Sequence, residues 1–145
     1  MRVDFYHLSR DPVEFVVPLI ARATRAAGER LLVVSADDAA LGRIGEALWE
    51  RLPEAFLAHG RAGEAHEARQ PILLSAAPEA GNGARFIALA DGQWREEAMH
   101  FARAFLLFGE AELDGARACW RMLGGQGDVE RRFWKQDGGK WREGP

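Results

Sequence analysis

The chain is poor in the residues that usually settle a function class early. It has one cysteine among 145 residues, Cys119. A lone thiol closes no internal disulfide and supplies no metal-ligand set, so a disulfide scaffold is excluded and a reducing compartment suits the chain. Lysine is almost missing: Lys135 and Lys140 are the two, and none precedes them. That rules out a phosphate-binding loop of the Walker type, which needs a lysine at the start of a helix. Long apolar runs are lacking as well. Stretches such as Phe15 to Ile20 are far too short to cross a bilayer, and no charged-then-apolar leader precedes them. The expectation is a soluble, cytoplasmic protein without a membrane partner. An excess of positive charge is also absent, the net charge being −3. A protein that coats nucleic acid needs many cations on phosphates, so that class is excluded.

What is present is an ordinary globular composition, 48% hydrophobic and 28% charged, with a length suited to one domain spanning residues 1–145. The charge is unevenly spread. Residues 1–115 carry 12 basic and 18 acidic side chains, a net of −6, whereas residues 116–145 carry seven basic and four acidic, a net of +3. Three of the five tryptophans, Trp120, Trp134 and Trp141, fall in that last segment. A basic, tryptophan-rich end on an acidic body has the chemistry to meet an anionic partner.

Hydrophobic periodicity predicts the elements. Val3 to Leu8 alternates as a strand. Asp11 stands where a helix N-cap belongs, with Pro12 at the first helical position. Phe15, Val16, Leu19, Ile20 and Ala23 then recur at helical spacing until Gly28, with Pro18 expected to kink the helix or mark its true start. Leu31 to Val34 is an unbroken apolar run, as in a strand buried on both faces. Ser35 and Asp38 suggest a cap, and Leu41, Ile44, Leu48 and Leu52 mark a helix stopped by Pro53. Gly60 to Gln70 reads as an exposed loop. Pro71 to Ser75 and Arg85 to Ala90 read as strands, paired antiparallel or flanking a loop. Trp94 to Ala102 is expected to be helical, Arg103 to Phe108 a strand, and Glu110 to Leu123 a last helix. Val129 to Gln136 is expected to be an edge strand ending at an Asp137-Gly138-Gly139 turn. Strand-helix alternation points to a three-layer α/β/α, Rossmann-like domain with a mostly parallel sheet and an added C-terminal edge strand.

Catalytic constellations are weak. The first strand-to-helix turn, Leu8-Ser9-Arg10-Asp11-Pro12, has no glycine to admit a pyrophosphate. Gly124, Gly125 and Gly127 follow a helix instead of opening one, the wrong end for phosphate. His59 and His66 share a loop with Glu64 and Glu67 but lack the spacing of a helical ligand pair. Asp37 and Asp38, with the loop near Ser9, would serve the alternative of a small nucleotide-dependent enzyme on a Rossmann-like fold, or of a domain that kept such a fold and lost its chemistry. No cofactor is expected. A binding surface is better supported: Arg117, Trp120 and Arg121, at i, i+3 and i+4, can share one helix face. Two guanidiniums beside an indole can hold a carboxylate by forked hydrogen bonds with an apolar side chain next to it, and Leu106 on the preceding strand is a candidate floor.

The ordered set of these features resembles the chi subunit of bacterial DNA polymerase III. The likeness is carried by Phe5-Tyr6-His7-Leu8, by Ala47-Leu48-Trp49 with Pro53, Phe56, His59, Gly63-Glu64 and Pro71-Ile72, by Ala116 to Arg121, and by Arg132 to Gln136 with Gly138 to Trp141. Ala58 departs from it, a proline being common there. The resemblance implies a non-catalytic clamp-loader accessory protein that binds the acidic C-terminal tail of single-stranded DNA-binding protein and pairs with a psi subunit or other clamp-loader component, reaching single-stranded DNA only indirectly. By matched position it implies a tail pocket of Leu106, Arg117, Trp120 and Arg121, and a psi-facing surface of Phe56 with Trp49 and Leu57.

Overall fold

The computed structural model describes residues 1–144. In chain order the elements are β1 (Arg2–His7), α1 (Val13–Ala26), β2 (Leu31–Val34), α2 (Asp38–Glu50), β3 (His59–Arg61), β4 (Ile72–Ser75), β5 (Phe86–Leu89), β6 (Arg103–Phe108), α3 (Leu113–Gly124), β7 (Glu130–Asp137) and β8 (Lys140–Glu143), with short 3₁₀ turns between them. Among the described residues eight strands form one sheet in the order β3-β4-β2-β5-β6-β1-β7-β8. Neighbours run parallel except the final pair, β7 and β8.

Alternation along the strands sends side chains to two cores. Leu31, Val33, Ile72, Leu74, Phe105 and Leu107 pack under α1 and α2. Phe5, Leu32, Leu73, Ile87, Leu106 and Phe108 pack under α3, which contributes Ala116, Cys119 and Leu123. The result is a three-layer α/β/α, Rossmann-like fold. β2 is buried at every position, as an apolar run covered on both faces must be.

Several expectations are corrected. Asp11 does not cap α1; Pro12 holds the cap position without a side-chain bond. The Asp11 carboxylate instead accepts from Gln136 Nε2 at 2.9 Å, while Gln136 Oε1 accepts from the Arg10 and Asp11 amides. Pro18 lies buried inside α1 and does not start it. The cap of α2 is Asp37, whose carboxylate accepts from the Ala39 and Ala40 amides; Ser35 Oγ accepts from the Asp37 amide one step earlier. Within the expected Gly60–Gln70 loop the chain forms part of β3, which pairs with β4. Gly60 is buried there because the Gln70 side chain occupies the space of a Cβ, 2.9 Å from where one would stand. Strands β4 and β5 do not pair with each other but flank β2, both parallel to it. Only Glu96–His100 of the expected Trp94–Ala102 helix is helical, as a 3₁₀ turn. Finally, β7 is not the edge. It adds to β1, and β8 closes the sheet beyond it through a two-residue turn. Gly138 (φ +59°) and Gly139 (φ +87°) both sit in the left-handed region, the requirement of a type I′ hairpin.

One buried charge holds the β6-β1-β7 seam. Asp4 is fully buried. It accepts from Arg2 Nη2 at 2.9 Å, Arg103 Nε at 2.8 Å and Trp134 Nε1 at 3.0 Å. A buried carboxylate is tolerated when its lone pairs are filled in this way, and here the donors come from β1, β6 and β7.

Candidate functional site

At the carboxyl end of β1, α3 and β7 enclose a recess of about 210 Å³ lined by His7, Leu113, Arg117, Trp120, Arg121, Phe133 and Lys135. It is smaller than the usual site for a drug-sized ligand and matches one large side chain. Helix α3 positions its cations by periodicity. Ala116, Cys119 and Leu123 turn inward, which leaves Arg117 and Arg121 exposed and Trp120 half-buried at the boundary. Burial, then the charge of Glu96, pushes the Cys119 thiol up to about 12, so this cysteine is core and inert.

The apolar floor is an aromatic cluster. Phe5 meets Trp120 edge-on at 5.2 Å and stacks with Phe133 at 6.1 Å, and Trp120 meets Phe133 edge-on at 5.7 Å. Such pairs lock ring orientation as well as burying area. Arg131 lies over the outer face of Trp120, its guanidinium carbon 4.2 Å from the ring centre, and donates to the Trp120 carbonyl. His7 stacks on Phe108 and bonds Glu110 Oε1 at 2.8 Å. The remaining cations are uncommitted. Among the described residues Arg117, Arg121 and Lys135 have no acidic side chain within ion-pair distance; other cations, such as Arg22, Arg69 and Lys140, also lack one, but these three converge on one aromatic recess.

The structure brings Arg117, Trp120 and Arg121 to one recess, which Leu106 does not line, although it lies in the core that Trp120 packs against. Leu106 is fully buried because its face of β6 is covered by α3 through Ala116, Cys119 and Leu123. The floor is made instead by Phe133. Sequence reasoning missed Phe133, Lys135, His7 and Leu113 as lining residues. The alternation Arg131-Phe133-Lys135 marks one strand face, but which helix that face meets depends on β7 pairing with β1.

A second surface lies beyond α2. Phe56 is 84% exposed and Trp49 is 56% exposed. Phe56 also holds a left-handed backbone, φ +49°, which costs a non-glycine residue roughly 1–2 kcal/mol. Leu57, expected beside them, is instead buried in the α1–α2 core, since the chain reverses at Phe56. Trp49 lies against the His59 ring at 4.7 Å, and His59 Nδ1 is 2.9 Å from the Leu57 carbonyl. Among the described residues no group of three or more His, Cys, Asp or Glu could hold a metal. Asp37 is taken up as a helix cap and Asp38 pairs with Arg61.

The model of the family described as DNA polymerase III chi subunit, HolC, matches residues 1–129. The chain belongs to this family. Chi-family membership makes it an accessory subunit of DNA polymerase III, with a role in DNA replication. No curated protein matches the chain. The match stops short of β7, so the strand that supplies Phe133 and Lys135 to the recess lies beyond the matched residues. No helix among the described residues is long and apolar enough to cross a membrane.

Proposed function

We propose that this chi-family chain is a non-catalytic, cytoplasmic linker of the replication machinery, joining the clamp loader to the acidic C-terminal tail of single-stranded DNA-binding protein. The observation that carries the reading is the convergence of three unpaired cations, Arg117, Arg121 and Lys135, on an aromatic recess in a chain whose residues 1–115 carry a net charge of −6. A peptide ending in an aromatic residue and a free carboxylate complements both halves of that site: its ring meets Trp120 and Phe133, and its carboxylate takes the guanidinium donors. Contact with single-stranded DNA is then indirect, through the partner. Phe56 and Trp49 form the surface for a psi subunit or another clamp-loader component. An exposed aromatic held in a strained backbone gains little from the fold around it, and such residues are frequent anchors of interfaces.

Fluorescence anisotropy with a labelled tail peptide tests the first surface. Arg117→Ala is expected to weaken binding about tenfold or more, a loss of about 1.4 kcal/mol per tenfold. Trp120→Ala weakens it as well, with less dependence on salt. Folded variants of both with unchanged affinity would place the tail elsewhere. Phe56→Ala is expected to weaken capture of a clamp-loader component and to leave tail affinity unchanged; a parallel loss of both would remove the assignment.

A further inference from the structure

One end of the sheet is edged with arginine. The parallel strands β4, β2, β5, β6 and β1 are neighbours in that order, and an arginine stands at the start of each or shortly before it: Arg69, Arg30, Arg85, Arg103 and Arg2. Arg103 and Arg2 are spent on the buried Asp4, and Arg85 pairs with Glu29 at 2.9 Å. Arg30 and Arg69 are not spent. The end of α1 adds Arg22 and Arg25 to them, Arg25 donating to the Glu29 carbonyl at 3.0 Å. All four are exposed, and among the described residues none has an acidic side chain within ion-pair distance. Arg30 Nη1 donates to the Ala68 and Asn82 carbonyls at 2.9 and 2.8 Å. Bonds to neutral carbonyls fix a guanidinium without cancelling its charge, and they leave its other donors free. Asn82, 2% exposed, holds this frame by donating to the Gln70 and Leu31 carbonyls. The carboxylates nearby are Glu29, already paired, Glu67, which accepts from the Gly63 amide at 3.4 Å and lies against Gly81, and the exposed Glu79. The patch keeps a positive excess within residues 1–115, a stretch that is acidic as a whole.

We infer that this arginine row is a contact for the phosphate backbone of duplex nucleic acid. None of the four guanidiniums lies over an aromatic ring, so the patch offers no platform on which an unpaired base would stack. It also stands apart from the recess that seats a peptide side chain. What it offers is repeated charge along a line. Neighbouring strands are about 4.8 Å apart, so the starts of β4, β2 and β5 span about 10 Å. A duplex presents a phosphate about every 3.4 Å of axis on each strand, so such a row meets about three of them. Contacts of this kind position a protein on the backbone and read no sequence. The inference goes beyond the tail reading and does not depend on it: single-stranded DNA is still reached through the partner. The row lies at the amino ends of the parallel strands and the recess at the carboxyl end of β1, so both can be filled at once. With a tail bound, the second contact is intramolecular, and a weak affinity suffices.

The test is fluorescence anisotropy with a short labelled duplex, one of its single strands and a labelled tail peptide. The triple variant Arg22→Gln/Arg25→Gln/Arg69→Gln spares Arg30, whose bonds hold the frame, and its thermal melt reports whether it is folded. The wild type is expected to bind the duplex at low salt more tightly than the single strand, with affinity falling steeply as salt rises. The glutamine variant is expected to weaken duplex binding about tenfold or more and to cut the slope of log affinity against log salt by about 2–3. Its affinity for the tail peptide stays within about twofold. Arg22→Lys/Arg25→Lys/Arg69→Lys is expected to keep duplex affinity within about threefold, since phosphate accepts lysine as a point charge. No duplex binding by the wild type at low salt overturns the inference, as does unchanged duplex affinity in the glutamine variant. An equal loss in the lysine variant overturns it too, because charge would then not be what binds. A preference for the single strand, or a duplex loss in Arg117→Ala as large as in the glutamine variant, moves the nucleic acid elsewhere and removes the arginine row. The tail reading stands or falls separately, on whether the wild type binds the peptide.

Discussion

The sheet is hollowed on both faces, under α1 over β5, β6 and β1 and beside α3 over β1 and β7, and the two hollows are nearly equal in size. Each is about 210 Å³ and rich in aromatic rings. The one under α1 is lined by Tyr6, Leu19, Phe86, Arg103, Phe105 and Trp141, among others. Its charge is already committed: Arg103 donates to the buried Asp4 and lies 4.7 Å above the Phe105 ring. Burial, followed by the nearby Asp4, pushes the Tyr6 hydroxyl up in pKa, so it remains neutral. Beside α3 the rings are similar, but the cations Arg117, Arg121 and Lys135 have no internal partner. Volume and aromaticity do not separate a structural hollow from a binding recess. Uncommitted charge does, because a paired cation has already given up its interaction energy to the fold.

The strongest way to break this contrast is at Asp4. Asp4→Ala leaves Arg2, Arg103 and the Trp134 indole without their shared acceptor, and removing one partner of a buried ionic network costs roughly 3–5 kcal/mol. Urea unfolding measures the loss. A loss below about 1 kcal/mol, the range of an exposed ion pair, would mean that the charge under α1 is not committed after all. Next comes a comparison between the faces: Arg117→Ala is expected to weaken a tail peptide about tenfold, while Leu19→Ala, on the rim of the other hollow, leaves it unchanged. A reversed result would move the peptide to the α1 face. A smaller effect is expected at Phe56. Being 84% exposed, it should change stability by no more than about 0.5 kcal/mol on replacement by alanine, and a cooperative loss of structure would reveal it as core. The smallest expected effect is at Cys119. With its thiol pushed up to about 12, thiolate is scarce at about pH 8, so iodoacetamide should modify the unfolded chain and spare the native one. Rapid labelling of native protein would show α3 lifting from the sheet, and the recess with it.

The local pieces were written in short-range pattern. Leu31 to Val34 is apolar without interruption because both faces of β2 are covered. Arg117, Trp120 and Arg121 share a surface because an α-helix returns to the same side every three or four residues. Asp137-Gly138-Gly139 marks a turn because only glycine enters two consecutive left-handed positions cheaply. The caps were harder to read: Asp11, Ser35, Asp37 and Asp38 offer similar oxygens within a few residues of a helix start, and the choice among them depends on how the incoming strand aims the chain.

The sequence by itself determined an α/β chain of parallel strands and amphipathic helices, with basic, tryptophan-bearing chemistry gathered at its end, because these follow from the period and polarity of neighbouring residues. Only the tertiary structure decided that β7 lies inside the sheet against β1 with β8 as the edge, that Leu106 and Leu57 are core while Phe133 and Lys135 complete the recess, and that Phe56 stands exposed to solvent. Those outcomes depend on which strands become neighbours and on where the chain reverses. Such contacts join residues more than a hundred positions apart, as Asp4 joins Trp134. Nothing in the pattern around either residue names the other.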